Sequence, residues 1–169
     1  MVHPLVTQLR FARSEWLRAL GDVSAEDAVR RCGSMNSISW IIGHLTWQEN
    51  RYWLIRAQGT NVAPYLDALT GYGAPPSTPP LDEMWAAWRT VTAATDPFLD
   101  SLTTETLQAP VVIDGQPRDF SLGSMMLRTT YHYWFHIGET QAIRQVLGHT
   151  SLPDFVGDIE SEAPYRPEA

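Results

Sequence analysis

Several features that mark common classes of protein are scarce or missing in this chain of 169 residues. It has no lysine, and its 12 arginines are outnumbered by 19 acidic residues, which leaves a net charge of −7. An acidic chain without a basic run is not typical of proteins that bind nucleic acid or an anionic membrane surface. No segment approaches ~18 consecutive apolar residues, so no membrane span is expected.

Cysteine and targeting signals are nearly absent as well. The single cysteine, Cys32, cannot form an internal disulfide, so folding does not require an oxidising compartment. The N-terminal stretch MVHPLVTQLRFARSEW lacks a basic region followed by a long apolar run, and no signal peptide is expected. These absences predict a cytoplasmic protein, and an apolar content of 44% predicts a globular one.

What the chain does have is helical periodicity. Apolar residues recur at spacings of three and four in four segments, and a short helical turn is expected after Ser24. Asn36 or Ser37 is placed as the N-cap of the second helix and Ser121 as that of the fourth, and Gly59 and Gly148 follow their ends. The segments are residues 5–20, 37–58, 81–102 and 121–147.

Two connections complete the predicted fold. Residues 59–80 are rich in proline and glycine, cannot be one regular element, and serve either as a crossover or as a lid. Residues 110–120 contain two short β-prone runs around Asp114-Gly115, which predicts a hairpin. We therefore expect an all-α four-helix bundle over residues 1–150, with a long crossover, a small hairpin before helix 4, and a C-terminal surface tail at 151–169.

Two of the helices carry polar residues on a face that should be buried. At 100° per residue, Arg128, His132, His136 and Glu139 share one face of the fourth helix, between apolar ends. On the second helix, His44 lies at the centre of a similar stripe. Histidine is less favourable to bury than leucine, so these imidazoles either have hydrogen-bond partners or bind a ligand. The stripe around His44 contains Ser37, Trp40, Ile41, Trp47, Gln48, Arg51 and Ile55.

The three histidines His44, His132 and His136 form the ligand set of an open metal site. Neutral imidazole nitrogens suit Zn²⁺, Ni²⁺, Cu²⁺ and Fe²⁺, with zinc or nickel favoured here. Three protein ligands leave a coordination position for water or substrate. The alternative is that they are core histidines bonded to backbone carbonyls. His3 and His149 lie near the chain start or past Gly148, and we expect both at the surface.

Two known metal-site types do not fit the sequence. The segment HYWFH has Tyr133 where a zinc protease has its general-base glutamate. Di-iron bundles need Glu-x-x-His on two helices, and the chain has no such pair.

The residues around the histidines suggest further roles. Glu139 can orient a ligand imidazole, act as a catalytic base, or pair with Arg128 or Arg51. The two arginines can bind the carboxylate of an anionic substrate or pair with solvated carboxylates. Gln48, Trp40 and Trp47 lie beside His44 as candidate substrate-binding residues, although aromatic stripes are usually core. Three residues fall on another face of the second helix and predict a surface or interface patch: Glu49, Tyr52 and Arg56.

The segment NSISWIIGHLTWQENRYW, followed by HYWFHIGETQAIRQVLGH, resembles the DinB-like family of metal-binding four-helix bundles. That family includes thiol-dependent transferases and isomerases that act on mycothiol or bacillithiol. The resemblance covers most of the chain and implies His44, His132 and His136 as metal ligands. Many members have glutamine where this chain has Glu139, so the resemblance implies less about that position.

The leading hypothesis is a divalent-metal-dependent enzyme that transfers a small thiol to, or hydrolyses, a small electrophile. A metal at the histidines would lower the pKa of a water or of a low-molecular-weight thiol. The rival hypothesis is a metal-binding or metal-stabilised interaction protein without enzymatic activity. For either, we expect a possible homodimer, and for the enzyme a small-molecule substrate.

Overall fold

The computed structural model describes residues 2–167, and Met1 and the last two residues of the predicted tail lie outside that range. The described chain is mostly helical, with one two-stranded antiparallel sheet. Its long helices are α1 (Pro4–Leu20), α3 (Ile38–Glu49), α5 (Leu81–Asp100) and α7 (Leu122–Val146). Its short helices are α2 (Ala25–Val29), α4 (Leu66–Thr70), α6 (Thr104–Gln108) and α8 (Ile159–Glu162). A π-helical segment, Asn50–Arg56, continues α3, and the strands are β1 (Pro110–Ile113) and β2 (Gln116–Ser121).

The predicted helix starts are confirmed by their side-chain caps. Ser24 accepts a hydrogen bond from the Asp27 backbone N–H at 3.0 Å, and Ser121 accepts one from Ser124 at 3.1 Å. Ser37 caps α3 in the same way through the Trp40 N–H at 3.2 Å. Each cap gives a partner to one of the backbone N–H groups that a first helical turn leaves unpaired.

The hairpin forms at Asp114-Gly115. Both residues have positive φ, 54° and 72°, as a two-residue turn between antiparallel strands requires. Ile113 pairs with Gln116 across the turn, and β2 leads directly into α7. The hairpin therefore fixes where the helix that carries two of the histidines begins.

The long helices pack in pairs that bring the two histidine-bearing helices together. α1 packs on α7, α3 packs on α5, and α3 also contacts α7. The second predicted helix is α-helical only as far as Glu49, after which Asn50–Arg56 is π-helical. Such segments are rare and occur frequently at functional sites.

Residues 59–80 pack against α3. Their short helix α4 lies so close to α3 that a Cβ atom on Gly43 would lie 2.7 Å from Thr70 Cγ2. The same Cβ would lie 2.7 Å from Met84 Sδ of α5. Asn50 donates to the Asn61 side chain at 2.8 Å and accepts from the Val62 backbone at 3.3 Å. The segment is therefore bound to the helix that carries His44.

The segment after α7 lies along α1. Glu15 accepts a hydrogen bond from the Gly157 backbone N–H at 2.8 Å, and Gln8 donates to the Ala163 carbonyl, also at 2.8 Å. His149 contradicts the surface prediction, because it is half-buried between Asp27 and Arg144. His3 is also half-buried, and its Nδ1 caps α1 by accepting a hydrogen bond from the Leu5 backbone N–H. In the described part of the chain, no helix has the length and apolar character needed to cross a membrane.

Candidate metal centre

The structure brings His44, His132 and His136 together between α3 and α7. The ring centroids of His44 lie 5.1 Å from those of His132 and 5.5 Å from those of His136, and the α7 pair is 4.5 Å apart. One ring nitrogen from each can be chosen so that all three lie within 4.8 Å of one another. The four-residue spacing on α7 places the two imidazoles on one face of that helix, where their rings meet edge to face at an interplanar angle of 62°.

His44 is held from behind and on both ring faces. Its Nδ1 lies 2.8 Å from the carbonyl oxygen of Thr70. Since a carbonyl only accepts, Nδ1 carries the proton and the Nε2 lone pair is free. Trp40 and Trp47 stack on the ring at 4.8 and 5.4 Å, nearly parallel to it. No sequence pattern points to Thr70, because a backbone oxygen makes this contact.

Glu139 fixes His136 in the same way. Its Oε2 lies 2.6 Å from Nδ1 of His136, so that nitrogen donates to the carboxylate and Nε2 is the nitrogen left for the cluster. That Nε2 lies 2.9 Å from Nε2 of His132. Of the roles considered for Glu139, the structure supports orientation of an imidazole, and no ion pair joins it to Arg51 or Arg128 among residues 2–167.

His132 has a buried nitrogen without a partner. Its Nδ1 makes no hydrogen bond within the described range, while Nε2 faces His136. Burial, together with the neighbouring His136 and His44, lowers the pKa of His132 to about 3. Burial also lowers the pKa of His44. Both rings are therefore neutral at pH 7, the state in which an imidazole can bind a metal.

The donor set fits a divalent metal ion. Two imidazole nitrogens bound to one zinc ion at ~2.1 Å lie about 3.4 Å apart in tetrahedral geometry. The separations in the cluster, 2.9 Å for the α7 pair and at most 4.8 Å for the set, bracket that value. Rear hydrogen bonds to a carbonyl and a carboxylate are the contacts that metal-binding histidines usually make.

The other predicted site residues occupy less uniform positions. Trp40 and Gln48 are buried beside His44, and Trp47 is half-buried. Arg51 lies over the Trp47 ring, 5.2 Å from its centroid. Arg128 contradicts the expectation of a buried polar stripe, because it is exposed one turn before His132.

A second polar cluster lies beside the histidines, and the surface position predicted for one of its members from the sequence is wrong. Glu49, expected in a surface patch, is fully buried and bonds Arg13 of α1 at 2.7 Å. Tyr133 donates to Glu49 at 2.8 Å and accepts from Trp88 of α5, also at 2.8 Å. Arg13 also donates to Thr95 of α5 at 2.9 Å, so this helix does more than pack apolar residues. The network joins all four long helices.

Comparison with known proteins gives one family. No curated protein sequence is significantly similar to the chain. The family model of the DinB superfamily matches residues 8–140, a range that includes all three histidines and Glu139. Since this match covers well over half of the sequence, and the histidine cluster lies inside it, the protein belongs to the DinB superfamily.

Proposed function

We propose that the protein is a divalent-metal-dependent enzyme that transfers a small thiol to, or hydrolyses, a small electrophile. The observation that supports it most is the clustering of three imidazoles whose rear nitrogens are either hydrogen-bonded or, in the described range, unpartnered. In this proposal residues 1–150 form a four-helix bundle, zinc or nickel is the metal, and His44, His132 and His136 are its ligands. The homodimer expected from the sequence stays a prediction.

The protein's own residues hold the metal-binding imidazoles in position. Thr70 and Glu139 each accept a hydrogen bond from Nδ1 of His44 and His136, respectively, which orients both rings and leaves Nε2 as the nitrogen for a metal. Trp40 and Trp47 cover both faces of His44 and exclude water from it. When bound, a divalent ion supplies Lewis acidity, which lowers the pKa of a thiol or water beside it.

The remaining steps can be written for the substrates and for Glu139. In thiol transfer the S–H proton is lost, sulfur bonds to the electrophilic carbon, and the leaving group departs with its bonding electrons. In hydrolysis, water replaces the thiol in the same balance. Glu139 is the candidate proton acceptor, since its side chain is partly exposed and only one of its oxygens bonds His136.

Elemental analysis combined with an activity screen tests this function. Protein reconstituted with zinc or nickel should hold about one ion per chain, and His44→Gln or His132→Gln should abolish that binding. His149→Gln is the matched control. His149 lies outside the cluster, so this variant should retain the metal. Thiol donors offered with small electrophiles or esters should give turnover that a chelator removes and the metal restores.

Burial of the histidines supports a second candidate, a metal-stabilised protein without catalysis. His44 and His136 are only 8% and 7% exposed, which is compatible with a closed structural site. In that case the metal would raise the melting temperature, no substrate would turn over, and no exogenous thiol would reach the ion.

A further inference from the structure

Gln48 is buried beside His44 without a hydrogen-bond partner. The residue is 8% exposed, and its amide makes no hydrogen bond within residues 2–167. Its Oε1 is among the few buried polar atoms in that range that have none. Leaving a buried acceptor unpaired is unfavourable, so the amide is suited to a ligand that donates a hydrogen bond to it.

Arg51 and Arg56 follow Gln48 along the chain, and neither has a carboxylate within ion-pair distance in the described range. Arg51 lies over Trp47, and Arg56 lies over Tyr52 at 4.8 Å. In a chain with 19 acidic residues, five other arginines do have carboxylate partners. Two half-buried guanidinium groups are thus left with aromatic neighbours and free donors.

Arg128 adds a third positive charge from α7. Burial lowers the pKa of Arg56, and the charges of Arg51 and Arg128 lower it further. Arg56 is therefore near enough to Arg51 and to Arg128 for their positive charges to act on it. An anion bound between them would replace this repulsion with charge-assisted hydrogen bonds.

We call Gln48, Arg51 and Arg56 the polar ladder. Gln48 is in α3, and the two arginines follow it in the π-helical segment, which ends at Arg56. Gln48 and Arg51 come four and seven residues after His44, so they share its helix face. At a rise of 1.5 Å per residue they lie about 6 Å and about 10 Å further along the axis. A ligand that extends from the histidines along α3 would meet an acceptor first and cations next.

We propose that the polar ladder, with Arg128 opposite its outer end, binds a carboxylate-bearing small molecule whose donor group bonds Gln48 and whose other end reaches the histidines. This rests on the proposed function, because it takes the histidine end as the reactive end. The substrate class is then an amide- or hydroxyl-containing acid with its carboxylate within about 10 Å of its metal-binding atom. Neutral thiols and amines of the same length would be poorer ligands.

Two matched probes test the proposal. N-(2-mercaptopropionyl)glycine carries a thiol, an amide N–H and a carboxylate, and its glycinamide analogue lacks only the negative charge. Cobalt-loaded protein is titrated with each probe by calorimetry, while the sulfur-to-cobalt charge-transfer band reports whether the thiol reaches the metal. We expect the acid to bind at least about tenfold more tightly than the amide.

Variants assign that preference to residues. Arg51→Gln and Arg56→Gln should each reduce the acid-to-amide ratio to about threefold or less, while cobalt content stays at the wild-type level. Arg89→Gln is the matched control, because Arg89 is exposed on α5 and has no carboxylate partner in the described range. Gln48→Leu should weaken both probes by a similar factor, because both donate through the same amide.

The two readouts separate the possible failures. Equal calorimetric affinities for acid and amide, or an unchanged ratio in the arginine variants, would overturn the ladder even if the charge-transfer band appears. Preference for the acid without that band would support the ladder and contradict the proposed thiol chemistry. If calorimetry detects neither probe, both proposals are overturned.

Discussion

At the scale of single residues, the bond between Glu139 and His136 decides what the carboxylate can do. One oxygen already accepts from Nδ1 of His136 at 2.6 Å, which fixes the ring that the metal would use. The other oxygen has no protein partner among residues 2–167, and the side chain is partly exposed. Orientation and proton transfer are therefore both open to it, and a substitution can separate them.

Glu139→Ala should weaken metal binding by about 10–100-fold, because His136 loses the partner that sets its tautomer. Competition with a chelator measures this affinity. Glu105→Ala, an exposed glutamate on α6, is the control and should leave the affinity unchanged. Wild-type affinity in Glu139→Ala together with a large loss of turnover would instead show that proton transfer is its main role.

Two glycines in the histidine-bearing helices make a matched pair. A Cβ on Gly43 would lie 2.7 Å from Thr70 and Met84, whereas a Cβ on Gly138 would meet no atom within 4 Å. Gly43→Ala should therefore destabilise the protein by about 1–3 kcal/mol through overpacking. Gly138→Ala should stabilise it by up to about 1 kcal/mol, since alanine is the better helix former. Urea denaturation of both variants checks the pair, and similar changes in both would contradict the close approach of α4 to α3.

At the scale of elements, a buried ion pair joins α1 to the end of α3. Burial alone would lower the pKa of Arg13, but Glu49 beside it raises that pKa above its usual value. Burial raises the pKa of Tyr133, which stays protonated and donates to Glu49. Buried charges of this kind are stable only as a pair, so their cost appears when one partner is removed.

Glu49→Leu should lower the free energy of unfolding by up to about 3–5 kcal/mol, because it removes the buried partner of Arg13 and leaves the partly exposed Asp96 as the carboxylate beside the guanidinium group. Arg13→Met combined with Glu49→Leu should recover at least half of that loss, since no charge then remains inside. Denaturant unfolding of the single and double variants gives the coupling. A double variant as unstable as the sum of the single changes would mean that the two residues act independently.

The C-terminal segment offers a pH-dependent contact far from the histidines. The hydrogen bond from Arg18, assisted by the Gly157 N–H, lowers the pKa of Glu15 below its usual value. The stabilisation is therefore present above the unfolded pKa of ~4.3 and is lost as pH falls through the lower, folded value. The protection of the Gly157 N–H against hydrogen exchange, after correction for the intrinsic pH dependence, should fall as pH is lowered from 5 to 3. Glu15→Gln should lack this pH dependence, and the same dependence in that variant would exclude Glu15 as its cause.

At the scale of the whole molecule, the histidines and the orienting role of Glu139 were predictable, whereas the Thr70 carbonyl behind His44 was not. His44, His132 and His136 each lie on a stripe whose apolar neighbours define a buried face, and helical spacing is enough to find them. Glu49 was misplaced because α3 is buried almost all round, so periodicity cannot say which side faces solvent. Arg128 shows the opposite error, since a residue at the edge of a stripe can extend into water.

Elements were predicted where local chemistry dictates them. The Ser37 and Ser121 caps and the Asp114-Gly115 turn depend only on neighbouring residues, and all three form as expected. The helix α4 and the Thr70 carbonyl depend on contacts with α3, which no short segment encodes. The π-helical segment after Glu49 likewise leaves no periodic signal that separates it from an α-helix.

In the proposed site, three histidines hold one metal ion and leave one coordination position open to a small molecule. X-ray absorption of zinc- or nickel-loaded protein, with and without N-(2-mercaptopropionyl)glycine, tests it most directly. We expect three imidazole nitrogens at about 2.0–2.1 Å, and replacement of an oxygen neighbour by one sulfur at about 2.3 Å when the thiol is added. A fourth protein ligand, or a spectrum that the thiol leaves unchanged, would contradict it.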